Sequence, residues 1–248
     1  MRKRNRQKQS DFWWLTPDKI VKYKYVALMY QEPYSDEPDS DRQPLTVPKF
    51  HSLDASGNLS KLVKRYPIEF IDKWRKKCAN MNVFRSLNLF SAEHGGDEIL
   101  GPFLIDIDRQ DESNKGFVTN FDEALEDTRQ LVKKYLYKLK KEDFRIFFSG
   151  HKGFHIEVRP QVVGVVSLDN QWQQFKDIRD DINRTFRVSF ADRIKEYIRL
   201  HDSINCWIAN DGRKVNRIKL ELSLHELDNL SAEDICTESE KLASNSLY

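Results

Sequence analysis

Two aspartates one residue apart stand at the end of an apolar run, Phe103-Leu104-Ile105-Asp106-Ile107-Asp108. The run predicts a buried strand, and because side chains alternate along a strand, both carboxylates should share one face, with Cα atoms roughly 6–7 Å apart. No Lys or Arg stands between them, so the pair needs a cation to offset its charge. Two divalent metals about 3.5–4 Å apart fit such a pair and suit phosphoryl or nucleotidyl transfer. The alternative is a strand end that carries two solvated acids.

A second segment, residues 149–155, follows a short apolar run and combines glycines with polar groups. Gly150 and Gly153 allow a sharp turn and let backbone N–H groups face a ligand. The hydrogen-bonding and charged side chains of the segment are Ser149, His151, Lys152 and His155. Such a set is typical of a triphosphate site. The alternative is a hairpin turn that carries polar side chains.

A third segment begins at Asp211 and continues through a basic stretch to Ser223 and His225. On an extended strand, Arg217, Lys219 and His225 would share one face, because their positions differ by even steps. A basic face opposite a carboxylate pair suits a substrate that carries phosphates next to bound metals. The alternative is an exposed edge strand whose charges keep it soluble.

In this order and spacing, the three segments resemble the archaeo-eukaryotic primase (AEP) superfamily, which includes the small catalytic primase subunit and the primase-polymerases. The first family motif, Asp-x-Asp on a hydrophobic strand, is matched by Asp106 and Asp108. The second, Ser-Gly-x-Lys-Gly-x-His, is matched by residues 149–155. The third, an aspartate followed by a basic strand and Ser-x-His, is matched by residues 211–225.

The resemblance implies a two-metal site for nucleotidyl transfer. Two Mg²⁺ or Mn²⁺ ions would be held by Asp106, Asp108 and Asp211. Because Asn210 precedes Asp211 where the family has a hydrophobic residue, Asp202 is the alternative third ligand. The residues implied to bind the nucleotide are Ser149, Gly150, His151, Lys152, Gly153, His155, Arg217, Lys219, Ser223 and His225.

The function implied is that of a DNA-template-directed primase or polymerase that joins nucleoside triphosphates and starts primers de novo. Its partners would be a single-stranded DNA template, a primer, NTP or dNTP, and a helicase, a large primase subunit or another replication or defence protein. A repair or end-joining polymerase of the same superfamily, which only extends primers, is an alternative. A catalytically silent nucleic-acid-binding module is another. An Asp-x-Asp nuclease or sugar-nucleotide transferase is a third, although neither explains residues 149–155.

The composition favours a folded protein, since the chain has 248 residues, 39% of them hydrophobic, and a net charge of only +2. This charge does not by itself indicate a nucleic-acid partner. The cysteines Cys78, Cys206 and Cys236 are too scattered for a zinc ribbon or a disulfide framework and fit a reducing compartment. No apolar run approaches the length of a membrane span. We therefore expect an intracellular protein without a membrane partner, cytoplasmic if prokaryotic.

Alternating apolar runs and amphipathic segments predict an α+β fold with mixed or antiparallel sheets flanked by helices, as the AEP resemblance also implies. Residues 1–60 are an N-terminal segment packed on or extending the core, and residues 61–248 are the AEP-like primase-polymerase catalytic domain. The predicted helices cover residues 68–79, 119–139 and 172–200. The predicted strands cover residues 82–90, 103–108, 144–148, 154–158, 204–208 and 215–224, and residues 31–48 form a loop. Core packing is expected for most of the following aromatic residues, with stacking on template bases as the alternative: Phe12, Trp13, Trp14 and Tyr30.

Overall fold

The structure, a computed structural model, describes residues 11–31, 34–35, 49–53, 59–63, 65–77, 82–93, 99–108, 121–151, 153–163, 189–190, 197–201, 203–208 and 212–246. Its α-helices are α1 (Pro17–Ile20), α2 (Ile71–Lys77), α3 (Phe121–Leu131), α4 (Leu224–Asn229) and α5 (Ala232–Ser246). Helix α3 continues into a π-helical turn at Val132–Leu136, and 3₁₀ turns cover Ile68–Phe70 and Pro160–Val163. Its strands are β1 (Tyr25–Gln31), β2 (Tyr34–Ser35), β3 (Lys49–Leu53), β4 (Leu59–Val63), β5 (Arg65–Pro67), β6 (Asn82–Ser86), β7 (Leu89–Phe90), β8 (Ile99–Leu100), β9 (Phe103–Asp108), β10 (Phe144–Phe148), β11 (Gly153–Val158), β12 (Ser189–Phe190), β13 (Tyr197–Arg199), β14 (Ile204–Ile208), β15 (Lys214–Ile218) and β16 (Leu220–Leu222).

The central sheet has five strands in the order β12, β9, β11, β10, β16, and each neighbouring pair is antiparallel. Alternate residues of β9 and β11 are apolar because they point to the same face of this sheet. That face packs against α3, α4 and α5 and forms the main core of the protein. Buried members of this core include Ile105, Ile107, Leu125, Ile146, Phe154, Ile156, Leu227 and Ile235. The opposite face carries the polar residues of interest.

A second sheet has the strand order β13, β6, β1, β7, β8, with β5 paired to β1. Its hydrophobic cluster includes Phe12, Trp13 and Trp14, which are at most 9% exposed. Core packing is therefore confirmed for these three aromatic residues. The side chain of Tyr30 lies outside the described residues.

Strands β14 and β15 form an antiparallel pair in which Ile204 lies opposite Ile218. Helix α5 is anchored to this pair by the buried Ser239 hydroxyl, which accepts a hydrogen bond from Ile218 N (2.9 Å) and donates one to Ile218 O (2.8 Å). Ala243 of the same helix packs with Ile204 and Cys206. These contacts hold the basic strand β15 against the end of the chain.

The predicted α+β class with antiparallel sheets and flanking helices is confirmed. The predicted helix over residues 172–200 is wrong where the structure describes it, because β12 and β13 are short strands and β13 pairs with the distant β6. The predicted strand over residues 215–224 is interrupted at Lys219 and ends at Leu222. The predicted loop over residues 31–48 includes the end of β1 and all of β2. Among the described residues, no helix has both the length and the apolar character needed to cross a membrane.

Candidate active site

Asp106 and His155 lie directly opposite each other on β9 and β11, so the first and second sequence motifs meet on the central sheet. Both side chains project from the face away from the main core, because their neighbours in sequence fill that core. His155 Nε2 lies 3.4 Å from Asp106 Oδ1, and the two side chains are 14% and 38% exposed, respectively. The Asp106 carboxylate is thus accessible to a ligand and lies in contact with the His155 imidazole.

His155 is neutral at physiological pH. Burial lowers the pKa of its imidazole to about 3, and the nearby Lys219 ammonium lowers it as well, while Glu157 opposes the shift. The contact between His155 and Asp106 is therefore one between a neutral ring and a carboxylate and not an ion pair. His155 Nδ1 is buried and has no hydrogen-bond partner within the described part of the chain.

Asp106 supplies an oxygen donor of the kind that hard divalent cations such as Mg²⁺ and Mn²⁺ prefer. The backbone of Asp108 lies opposite Gly153, two residues further along the same strand. Outside the description are the side chain of Asp108 and residues Lys152, Asp202 and Asp211. Among the side chains that the structure does describe, no group of three or more His, Cys, Asp or Glu could hold a metal ion. Asp106 fits a divalent cation by donor chemistry and exposure, and the remaining ligands stay a prediction.

The turn between β10 and β11 contains the second motif. Ser149 N donates to Gly153 O (2.9 Å), while Ser149 Oγ accepts from the backbone N–H groups of His151 (3.4 Å) and Gly153 (3.3 Å). Gly150 adopts a φ of 87°, which L side chains rarely take up. A Cβ at Gly150 would also lie 3.3 Å from atoms of the Ile218–Lys219 peptide. The motif thus forms a tight hairpin turn, pressed against the strand that carries the third motif.

His151 and Arg217, both predicted to bind the nucleotide, lie together beside this turn. The His151 ring meets the Trp207 ring edge to face, with centroids 4.4 Å apart, and the Arg217 guanidinium lies 5.2 Å from the same indole. Arg217 also forms an ion pair with Glu240 of α5, with Nε and Oε1 2.8 Å apart. The third motif therefore contacts the second through Trp207, which the sequence did not single out.

Lys219, predicted to contact phosphate, is buried in the structure. Its Nζ lies 2.9 Å from Glu157 Oε1, and both side chains are 0% exposed. Glu157 also accepts hydrogen bonds from Trp13 Nε1 (3.0 Å) and lies 3.3 Å from His201 Nε2. Burial alone would raise the pKa of the Glu157 carboxyl, but Lys219 and His201 outweigh burial and hold that pKa well below its usual range. Lys219 is thus held in the interior by Glu157.

The buried ion pair belongs to a larger network that ties the N-terminal residues to the second sheet. Arg85 donates to the backbone oxygen of Asp11 (2.7 Å), and the Asp11 carboxylate accepts from His201 N (2.8 Å) and pairs with Arg75. Arg75 also donates to His201 O (3.0 Å). Buried charges of this kind are stable only when paired and hydrogen-bonded, so the network fixes Asp11 against the second sheet.

Ser223 and His225 lie at the start of α4 and not on an extended strand. Ser223 is the N-cap of this helix and forms a capping box with Glu226. The expectation that Arg217, Lys219 and His225 share one face is therefore wrong, because the strand ends before His225. His225 is exposed on the first turn of the helix.

Sequence reasoning missed Glu157, His201, Asp11 and Arg85, which surround Lys219. One signal for Glu157 was available, because it follows His155 by two residues on the same strand and so shares its face. The other three residues are polar positions in segments without a motif, and only the tertiary fold brings them together.

No protein-family profile matches this sequence, and no curated protein matches it. Among solved structures, the chain is similar to the polymerase domain of Ligase D from Mycobacterium tuberculosis in complex with DNA. The match has a TM-score of 0.46 and 16% identity, and it covers 95% of this chain and 91% of that chain. A match of this size assigns neither family nor activity to the chain.

Proposed function

We propose that the chain is a template-directed nucleotidyltransferase of the polymerase type, which adds nucleotides to a 3′-hydroxyl and starts primers on single-stranded DNA. The single observation that carries the proposal is the opposition of Asp106 and His155 on β9 and β11 beside the Ser149–Gly153 turn. These motifs are far apart in the sequence, yet a carboxylate, a neutral imidazole and a glycine turn converge at one end of the sheet. The ordered Asp-x-Asp and Ser-Gly-x-Lys-Gly-x-His motifs support the same chemistry.

In the proposed reaction, the 3′-hydroxyl oxygen forms a bond to the α-phosphorus of the incoming triphosphate. The bond between the α-phosphorus and the bridging oxygen breaks, pyrophosphate leaves with the electron pair, and the hydroxyl proton passes to solvent. Asp106, with Asp108 and Asp211 as the predicted further ligands, would hold Mg²⁺ or Mn²⁺, which when bound offsets phosphate charge and lowers the pKa of the attacking hydroxyl. His155, whose Nε2 lies 3.4 Å from the Asp106 carboxylate, would help to position it, and the exposed position of Asp106 leaves room for the substrate. The paired template would select the base, so the protein need contact only backbone and shape.

The test is a nucleotide-incorporation assay with purified protein, Mn²⁺ or Mg²⁺, labelled NTP or dNTP, and DNA. Wild type should extend a recessed primer and make short products on primer-free single strands. Asp106→Asn should lower incorporation by 100-fold or more, on the order of the loss of one catalytic metal ligand. Asp228→Asn, a matched change at an exposed carboxylate of α4, should leave activity unchanged. Equal incorporation by wild type and Asp106→Asn contradicts the proposal.

The same assay separates the alternatives. Extension without primer-free synthesis identifies a repair or end-joining polymerase, and loss of labelled DNA without added nucleotides identifies a nuclease. A catalytically silent nucleic-acid-binding module is favoured by one observation, the burial of Lys219 against Glu157, since a lysine held in this way does not contact a phosphate. DNA binding with no incorporation under any metal would identify that module.

A further inference from the structure

A cleft of about 340 Å³ opens at the edge of the central sheet, where β10 begins and β16 ends. Its wall includes Arg145 of β10 and Glu221 of β16, which face the same side of the sheet as Asp106. Three strand spacings separate β16 from β9, so the cleft lies roughly 14 Å from Asp106. This volume falls within the range of small-molecule sites, about 300–1,000 Å³. The cleft is therefore distinct from the candidate active site.

The cleft is positively charged. Among the described residues that line it, Lys141, Arg145 and Arg159 are basic, whereas Glu142 and Glu221 are acidic. Arg145 is paired with Glu221, with Nη1 and Oε2 2.9 Å apart. Burial raises the pKa of the Glu221 carboxyl, although Arg145 opposes the shift. The cationic groups left to meet a ligand are those of Lys141 and Arg159, for which the described residues provide no ion-pair partner.

The two arginines are fixed before any ligand arrives. Their guanidinium carbons lie 5.0 Å (Arg145) and 5.4 Å (Arg159) from the Trp13 ring. Arg159 also makes a long hydrogen bond to Trp13 O at 3.5 Å, and its Nε is buried without a hydrogen-bond partner among the described residues. Arginines held on an aromatic ring lose little freedom when they bind an anion, and a planar guanidinium matches phosphate geometry.

Part of the cleft lining is apolar. The lining includes Phe144, Leu222 and Leu224 together with the basic groups, and it also includes His225. A ligand that fills such a cleft needs a nonpolar or planar body as well as an anionic group. A free inorganic phosphate would leave the apolar wall uncovered.

We propose that this cleft binds a phosphate ester with a planar or nonpolar body, such as a mononucleotide or a terminal nucleotide of a strand, through Lys141 and Arg159, beside the Arg145–Glu221 ion pair. The site is separate from the one at Asp106, and the proposal holds whether or not the chain joins nucleotides.

The test is calorimetric titration of the full chain with adenosine 5′-monophosphate, in EDTA so that no metal-dependent site contributes. Lys141→Gln and Arg159→Gln should each weaken binding about 10-fold, because each removes a charge-assisted contact. Adenosine, which lacks the phosphate, should bind at least about 10-fold more weakly than the monophosphate. Lys133→Gln, a matched change at an exposed lysine after α3, should bind as wild type does. Circular dichroism checks that Arg159→Gln is folded. Because Lys141 is exposed, Lys141→Gln should fold normally and tests the proposal even if Arg159→Gln does not fold.

The proposal is overturned if the monophosphate does not bind, if adenosine binds equally well, or if Lys141→Gln binds like wild type. It is also overturned if Asp106→Asn abolishes binding, because the ligand would then occupy the active site. Displacement of the monophosphate by an eight-residue oligothymidylate supports the site and assigns its phosphate to a nucleic-acid strand. Binding that resists the oligonucleotide supports the site and assigns it to a small ligand. A protein that binds the monophosphate but incorporates no nucleotides would refute the proposed function and leave the proposed cleft site standing.

Discussion

The substitution Glu157→Gln removes the negative charge that faces Lys219 in the interior while it nearly preserves the shape of the side chain. The two charged atoms are 2.9 Å apart, and neither side chain is exposed. Removing one partner of a buried ion pair typically costs about 3–5 kcal/mol, because the other charge is left without compensation. The loss has an upper limit, since Lys219 can release its proton. For a lysine of ordinary pKa, this release costs about 4.6 kcal/mol at pH 7. We therefore expect the free energy of unfolding to fall by about 3–5 kcal/mol.

The loss should depend on pH in a defined direction. Burial already lowers the pKa of Lys219, and Glu157 opposes that shift, so the pKa falls further when Glu157 loses its charge. In the variant, Lys219 would be neutral in the folded state and protonated in the unfolded state. The unfolded state then binds more protons than the folded state, so the free energy of unfolding of the variant rises with pH, by at most about 1.4 kcal/mol per pH unit.

The measurement is urea unfolding followed by circular dichroism between pH 7 and pH 9. Glu240→Gln is the matched control, because its partner Arg217 lies at the surface, with side chains 47% and 19% exposed, and exposed pairs contribute only about 0–1 kcal/mol. The double variant Glu157→Gln/Lys219→Met should recover at least half of the lost stability. A loss below about 1 kcal/mol for Glu157→Gln, or no recovery in the double variant, refutes the reasoning.

Two further predictions concern the turn and the histidine. Because the pKa of His155 is lowered to about 3, the unfolded state takes up a proton that the folded state does not between about pH 6.5 and pH 3. The free energy of unfolding should thus fall as the pH drops through this window. His155→Leu should flatten the plot of urea midpoint against pH, while His225→Gln, at an exposed histidine, should not. Equal plots for His155→Leu and wild type contradict this. Gly150→Ala should lower the free energy of unfolding by about 1–2 kcal/mol or more. The added Cβ would strain the left-handed backbone at this position and would also come close to the backbone at Ile218. Gly212 also has a positive φ, 79°, but a Cβ there would meet no atom within 4 Å among the described residues, so Gly212→Ala should lower the free energy of unfolding by less. Equal unfolding free energies for the two variants would show that the contact at Gly150 is unimportant.

The strands that carry Asp106 and His155 could be anticipated from the sequence because each follows local rules, whereas the register that places the two residues opposite each other could not. Each residue lies on a short apolar run with period-two alternation, and the glycines between β10 and β11 fix the hairpin. The α+β class follows from the same alternation of short strands and amphipathic helices. These features need no knowledge of contacts between distant segments.

The position of Lys219 could not be predicted in this way. Its partner Glu157 is 62 residues away in the sequence, and the residues that enclose both come from the N-terminus and from β6. The strand β13 was predicted as helix for a similar reason, since only its pairing with β6 makes three residues extended. Such pairings leave no signal in the local sequence pattern, and contacts with distant segments override the intrinsic preference of a short segment for helix or strand.

The burial of Lys219 changes how this residue can act on the candidate site. In this conformation Lys219 is held by Glu157, which also accepts a hydrogen bond from Trp13, whereas Asp106 on the same sheet face is accessible. Lys219 therefore affects the site through its charge, since it helps to keep His155 neutral next to the carboxylate. Direct contact between Lys219 and a phosphate would require the ion pair to separate, at a cost similar to that of losing Glu157. A substrate phosphate could offset the cost of separating this ion pair only by taking the place of the Glu157 carboxylate as the partner of the Lys219 ammonium. Such an exchange is possible because phosphate and carboxylate are both negatively charged.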